Sequence, residues 1–245
     1  MTARPLEGRI ALVTGASRGI GYHSALAYGA AGAHVVAVAR TVGGLEELDD
    51  AIQDVGSDAT LVPLDIRDTA GLDRLAPALA ERFGRVDILL GNAAVLGPQT
   101  PVGHMGETAW DETLAVNLSA NWRLLRGFDP LLRASDAGTA LFMTSGVAGR
   151  TPAYLAAYAA SKAGLEALVR SYAVETAKTA VTANLIDPGP VRTRLRARYL
   201  PGEDPSQLPG PEDVAERIVG VTLEARHRRG QTWRSRDAAW SGAAG

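Results

Sequence analysis

The chain of 245 residues contains no cysteine, which excludes disulfides as a source of stability. It also lacks an apolar run long enough to cross a bilayer. The most apolar stretch, 24–39, is broken by Gly29, Gly32 and His34 and resolves into a helix, a turn and a strand. The start, Met1-Thr2-Ala3-Arg4-Pro5-Leu6-Glu7-Gly8, has no apolar leader segment, and a cytoplasmic protein without a secretory signal is expected. Charge of one sign is missing too: the formal net charge is −2, so no global basic field attracts nucleic acid. The histidines, His23, His34, His104 and His227, are scattered without ligand spacing, which argues against a metal site. No repeat or interdomain linker interrupts the chain, and 46% hydrophobic residues suffice for one sizeable core, so 1–245 is read as one domain.

What is present is an alternation of strand and helix signals. Short apolar segments at 9–13, 34–39, 60–63, 88–90, 139–144 and 181–186 read as strands, with helices between them. The alternation implies an α/β fold built on a doubly wound parallel sheet with helices on both faces, ligands binding along one edge. The Pro- and Gly-rich stretch 202–211 is a loop, because 212–225 is one more amphipathic helix. A last edge strand is expected at 230–233, and 234–245 is expected to be a disordered tail.

Two clusters point to chemistry. Thr14-Gly15-Ala16-Ser17-Arg18-Gly19-Ile20-Gly21 joins the first strand to an Ala-rich helix, with glycines spaced G-x-x-x-G-x-G. Gly15, Gly19 and Gly21 carry no Cβ to block a pyrophosphate, and the N–H groups of the following helix favour the anion. Far downstream, Tyr158 and Lys162 stand four residues apart in a strong helix former, which puts phenol and ammonium on one face. A free tyrosine titrates near ~10, and a neighbouring positive charge favours its phenolate, so the pair suits proton exchange with an alcohol or carbonyl.

With Ser145 thirteen positions ahead of Tyr158, these motifs resemble the short-chain dehydrogenase/reductase family in its compact, single-domain form, over nearly the whole chain. The resemblance implies a Rossmann-type fold and a catalytic set of Asn117, Ser145, Tyr158 and Lys162. It implies cofactor contacts at Gly15, Ser17, Arg18, Gly19, Ile20 and Gly21, at Asp65 and Ile66 after the third strand, and at Asn92 and Ala93 after the fourth. It implies further contacts at Tyr158 and Lys162 themselves and in Pro188-Gly189-Pro190-Val191-Arg192-Thr193, through Pro188, Gly189, Val191 and Thr193. In the family scheme the nicotinamide delivers hydride to a carbonyl carbon while Tyr158 protonates the oxygen. Ser145 holds that oxygen, Lys162 lowers the Tyr158 pKa and grips the nicotinamide ribose, and Asn117 positions a water in a proton relay.

Cofactor choice is read at the end of the second strand, where Arg40 stands in place of a carboxylate; with Arg18 it favours NADP(H) over NAD(H), since guanidinium groups pair with a 2′-phosphate. Two departures from the family pattern stand out. Gly91-Asn92-Ala93-Ala94 replaces the usual Asn-Asn-Ala-Gly, removing an amide at Gly91 and adding a methyl at Ala94. The substrate wall is expected to include Leu96, Ser145, Val147, Tyr154, Tyr158 and Leu195. The four arginines in 192–198 are read as a solvated helix, with recognition of a carboxylate or phosphate on the substrate as the alternative. Trp110 and Trp122 are read as packing residues. Leu114, Leu118, Trp122 and Leu125 share a helix face, and the small residues Ala156, Ala160, Ala163 and Ala167 mark a face of the catalytic helix; such faces pair in a homodimer or homotetramer of this family. The reading is an NADP-dependent oxidoreductase acting on a small carbonyl or secondary alcohol. The alternatives are a catalytically silent NADP(H)-binding sensor or interaction protein on the same fold, and an isomerase or dehydratase working by transient hydride transfer.

Overall fold

The computed structural model describes residues 4–242. Strands β1 (Ile10–Thr14), β2 (His34–Ala39), β3 (Ala59–Pro63), β4 (Ile88–Gly91), β5 (Thr139–Met143), β6 (Thr182–Asp187), β7 (Thr232–Arg234) and β8 (Ala239–Ser241) form one sheet in the order β3-β2-β1-β4-β5-β6-β7-β8. All neighbours are parallel except β7 and β8. The helices are α1 (Gly19–Ala30), α2 (Val42–Asp54), α3 (Thr69–Phe83), α4 (Glu107–Leu114), α5 (Ala120–Arg133), α6 (Val147–Arg150), α7 (Ala156–Glu175), α8 (Arg194–Tyr199) and α9 (Pro211–Ala225). The doubly wound α/β fold read from the sequence is the fold observed. Among the described residues no helix is long and apolar enough to cross a membrane.

Alternate residues of the inner strands face opposite helix layers, which is why these strands are apolar throughout. Leu12, Val36, Leu89 and Phe142 join Leu75, Leu124 and Val169 of α3, α5 and α7 in one core. Val13, Val35, Leu90 and Leu141 join Tyr28, Leu48 and Ile218 of α1, α2 and α9 in the other. The winding reverses between β1 and β4, and a crevice opens beyond the carboxyl ends of those two strands.

The opposite edge is held by Asp87. Its fully buried carboxylate accepts hydrogen bonds from Ile10 N (2.8 Å), Ser135 Oγ (2.6 Å), Arg9 Nη1 (2.9 Å) and Arg85 Nε (3.2 Å). It thereby fastens the starts of β1 and β4 to the segment before β5. Burial pushes the Asp87 pKa up, but the bonds from Ser135, Ile10 and Arg9 outweigh it and hold the group below the usual carboxylate value.

One expectation needs correction. The segment 234–242 is not a disordered tail: β8 returns antiparallel to β7, pairing Trp240 with Trp233. Trp240 donates to Glu224 (2.7 Å), and the Arg228 guanidinium lies 5.2 Å from a ring centroid of that indole, so α9 and the turn after it supply the partners that a sequence window cannot reveal. Residues 243–245 lie outside the described residues. Trp122, read as a packing residue on the helix face of Leu114, Leu118 and Leu125, is 43% exposed, flanked by Arg126 and Arg123.

Asp87→Ala is expected to cost about 3–5 kcal/mol, since it strips a buried, hydrogen-bonded charge from its cationic partners. With a depressed folded pKa, the Asp87 contribution is present above the unfolded value near ~3.9 and lost as pH falls through the folded one. Urea unfolding at pH 7 and pH 3 checks both: the gap between parent and variant should narrow at the lower pH.

Candidate active site

The glycine turn begins where β1 ends. Gly15 and Gly19 have φ of +68° and +57°, a region that favours glycine. Gly21 serves differently from the expected cofactor contact. It does not line the cavity; a Cβ there would overlap Gly15 O and Asn92 Nδ2, so this glycine lets α1 close onto the turn. Asn92 reaches across from the end of β4, donating from Nδ2 to Thr14 O (2.9 Å), while the backbone N–H groups of Asn92 and Ala93 donate to Thr14 Oγ1 at 3.0 and 3.1 Å. Thr14 is therefore the stitch between β1 and β4, a role the motif spacing did not disclose. At the start of α1, Arg18 makes no side-chain cap and the first turn holds no acidic residue. Its N–H groups are thus left to the cavity bordered by Ser17, Arg18, Gly19 and Ile20, the arrangement that suits a diphosphate.

That cavity, about 1010 Å³, extends along the carboxyl edge of the sheet. It is also bordered by Arg40, Asp65, Ile66, Asn92 and Ala93, and by Pro188, Gly189, Val191 and Thr193. Arg40 Nη1 stands 3.8 Å from Asp65 Oδ2, and the same carboxylate binds Arg67 (2.8 Å). The Arg67 hydrogen bond is the chief reason that Asp65 titrates below the usual carboxylate range.

The same cavity is lined by Ser145, Tyr158 and Lys162. Tyr158 is 7% exposed, and burial pushes its pKa from 10.0 up to about 12; the nearby Ser145 hydroxyl draws it partly back and the Asp187 carboxylate adds to the rise. Lys162 is buried, and burial lowers its pKa from 10.5 to about 8. Its Nζ donates to Met143 O at the end of β5 (2.7 Å) and lies 5.8 Å from the Tyr158 ring centroid. The expected depression of the Tyr158 pKa by Lys162 is thus not seen: desolvation dominates both groups.

Asn117 sits elsewhere than expected. A single π-helical turn, Ala115–Ser119, separates α4 from α5, with Ala120 N donating to Ala115 O. The buried Asn117 side chain does not line the cavity but clamps the loop after β4. It accepts from Val95 N (2.9 Å) and donates to Val95 O (2.9 Å) and Ser161 Oγ (3.0 Å). Asn121 Nδ2 takes the Asn117 carbonyl at 2.8 Å.

Leu96, Val147, Leu155, Tyr158 and Ala159 form a third apolar cluster, against which Leu195 and Tyr199 pack. Tyr154, expected on the substrate wall, lies outside the cavity: it is 59% exposed with a φ of +69°. Its neighbour Leu155 takes the inward place. Glu166, Asp187 and Arg150 also border the cavity and were not anticipated. For Glu166 the signal was present, four residues after Lys162; its Oε1 accepts from Thr144 Oγ1 at 2.7 Å.

The two sequence departures have different physical settings. A Cβ on Gly91 would overlap the Phe142 ring and Asn121 Oδ1, so the Phe142 side chain fills the space that an amide would need. Ala94 keeps an ordinary backbone conformation and lines the cavity. Gly91→Asn is expected to destabilise by about 1–3 kcal/mol through overpacking, with Phe142→Val recovering part of it in the double variant, read from thermal melting. For Lys162, the unfolded chain holds a proton between pH 8 and 10.5 that the folded protein lacks. Stability of the cofactor-free protein should therefore rise across that window, by up to about 1.4 kcal/mol per pH unit, relative to Lys162→Met. A difference independent of pH would contradict the buried, neutral amine.

Comparison with known proteins agrees with this geometry. A family model described as short chain dehydrogenase matches residues 9–204. The uncharacterised oxidoreductase YciK of Escherichia coli K12 is 33% identical over 238 residues, covering 91% of this chain and 94% of YciK. Among solved structures, a chain described as a short chain dehydrogenase of Shigella flexneri 2a, complexed with NADP, superimposes with a TM-score of 0.91 at 31% identity, covering 96% of this chain and all of that one. One from Escherichia coli CFT073, complexed with NADPH, gives 0.89 at 32% identity, over 95% and 98% of the two chains. The chain belongs to the short-chain dehydrogenase/reductase family of oxidoreductases.

Proposed function

We propose that this protein is an NADP-dependent oxidoreductase that interconverts a carbonyl and a secondary alcohol, with Tyr158 as general acid and base. The observation that carries the reading is the buried Tyr158 phenol beside Ser145, on the wall of the same cavity that the glycine turn and Arg40 border. Ser17, Gly19 and the free N–H groups of α1 would hold the diphosphate, Arg18 and Arg40 the 2′-phosphate, and Lys162, Val191 and Thr193 the nicotinamide riboside. NADPH, when bound, supplies the hydride. The dinucleotide-bound structures among the relatives support this cofactor.

The residues themselves divide the remaining work. Ser145 donates a hydrogen bond to the carbonyl oxygen and fixes the carbonyl against the nicotinamide face. With a pKa near 12, Tyr158 rests as a neutral phenol at pH 7, so it is ready to give its proton to that oxygen. Lys162 keeps one donor on Met143 O and has others for the ribose hydroxyls. Asn117 acts at one remove, holding the loop of Val95 against Ser161 of the catalytic helix. Exposed Ala160, Ala163 and Ala167 on α7, with Trp122 on α5, support subunit pairing through these two helices.

Tyr158→Phe is expected to keep NADPH binding, followed by fluorescence titration, and to lose about 10²–10⁴ in turnover of any carbonyl the parent reduces. Arg40→Ala should raise the KM for NADPH and leave that for NADH little changed. Unaltered turnover in Tyr158→Phe would sink the acid–base assignment.

A further inference from the structure

The arginines around the cavity are not all committed to partners within the fold. Nine arginines and Lys162 line the cavity against three carboxylates, Asp65, Glu166 and Asp187, in a chain whose formal net charge is −2. NADPH brings about four negative charges, two from a phosphate monoester and two from the diphosphate. Several of the arginines are already neutralised. Arg192 pairs with Glu212 (3.0 Å), Arg196 with Glu203 (2.6 Å), Arg236 with Asp237 (3.4 Å) and Arg40 with Asp65. The four-arginine segment therefore splits in two: the 192 and 196 side chains serve the loop that follows, while Arg194 and Arg198 have no ion-pair partner among the described residues.

Arg194 and Arg198 are four residues apart on α8, one turn of a short helix. Like charges at that spacing repel, and Arg194 stands at the first helical position, where a cation opposes the helix dipole. Nothing inside the fold compensates this cost. The residues that follow each of them in sequence, Leu195 and Tyr199, pack against the apolar cluster of Leu96, Val147 and Leu155 around Tyr158. Gln99 Nε2 donates to Arg198 O (2.8 Å), which pins the last turn of α8 to the loop after β4. Arg194 and Arg198 thus line the cavity that also holds the apolar cluster at Tyr158, on an anchored helix.

Building on the reductase reading above, we propose that the substrate is a carbonyl compound with an apolar body ending in an anionic group, carboxylate or phosphate, bound by Arg194 and Arg198. Guanidinium forks match either group through paired, charge-assisted hydrogen bonds. The apolar chamber accommodates the body between that anion and the carbonyl at Tyr158.

The test uses binding, so that it does not depend on turnover. 2-Decanone, 9-oxodecanoate and the corresponding ω-phosphate are titrated calorimetrically into the Tyr158→Phe protein, with and without NADPH. At least one anionic ketone should bind about tenfold or more tighter than 2-decanone, with a gap that shrinks as salt is added. The Arg194→Gln/Arg198→Gln pair should abolish that gap. Tighter binding of 9-oxodecanoate assigns the carboxylate, and tighter binding of the ω-phosphate assigns the phosphate. Equal affinities, no binding of any probe, or a gap that survives the arginine substitutions would overturn the proposal. If the substitutions weaken NADPH binding and leave the gap intact, the arginines belong to the cofactor and the proposal also fails. A parent protein that binds the anionic ketone through these arginines yet never oxidises NADPH with it would remove the reductase reading and leave the anion site standing.

Discussion

The hydrogen bonds that Thr14 exchanges with Asn92 and Ala93 hold the glycine turn against the end of β4, and the working edge of the molecule is arranged around that junction. β1 and β4 are neighbours only because the sheet reverses its winding there, so two segments nearly eighty residues apart meet in a crevice. Packing at the junction leaves little room. Gly21 can follow Gly15 only as glycine, and Asn92 occupies the space between them. The approach of a phosphate to bare backbone is thus a property of this contact as much as of the glycines.

The catalytic side chains are governed by burial more than by one another. Both Tyr158 and Lys162 are buried side chains of α7, and each is driven by desolvation toward its neutral form. A neutral phenol beside a neutral or readily neutralised amine is a proton donor at rest. The π-helical turn at Asn117 belongs to the same arrangement, since it lets one amide serve the β4 loop and the catalytic helix together. That turn interrupts what the apolar pattern presents as an unbroken helix.

Charge is distributed against the average of the chain. A protein of slightly negative net charge gathers arginines around the cavity at its sheet edge, and the surrounding carboxylates neutralise some of them. Sequence position could not sort the four arginines of 192–198, because Glu203 and Glu212 reach them only through the fold of the following loop and helix. Tyr154 and Leu155 make the same point for the substrate wall. Adjacent in sequence, they part because a left-handed backbone at Tyr154 turns its ring outward and leaves Leu155 in the cluster.

By itself the sequence determined the strand and helix order, the sidedness of the sheet and the grouping of the glycine turn, Arg40, Ser145, Tyr158 and Lys162 at one edge. The order and sidedness follow from local periodicity and a well-defined winding rule, and the grouping of the site residues from the resemblance to the family's motifs. Only the tertiary structure decided what depends on distant neighbours. Phe142 makes Gly91 obligatory, α9 gives the second tryptophan of 233 and 240 a partner and orders β8, and Asn117 is drawn out of the cavity by Val95 and Ser161. The pKa values of Tyr158 and Lys162 are of the same kind, since desolvation is the sum of everything packed around a group and no segment of the chain carries that sum alone.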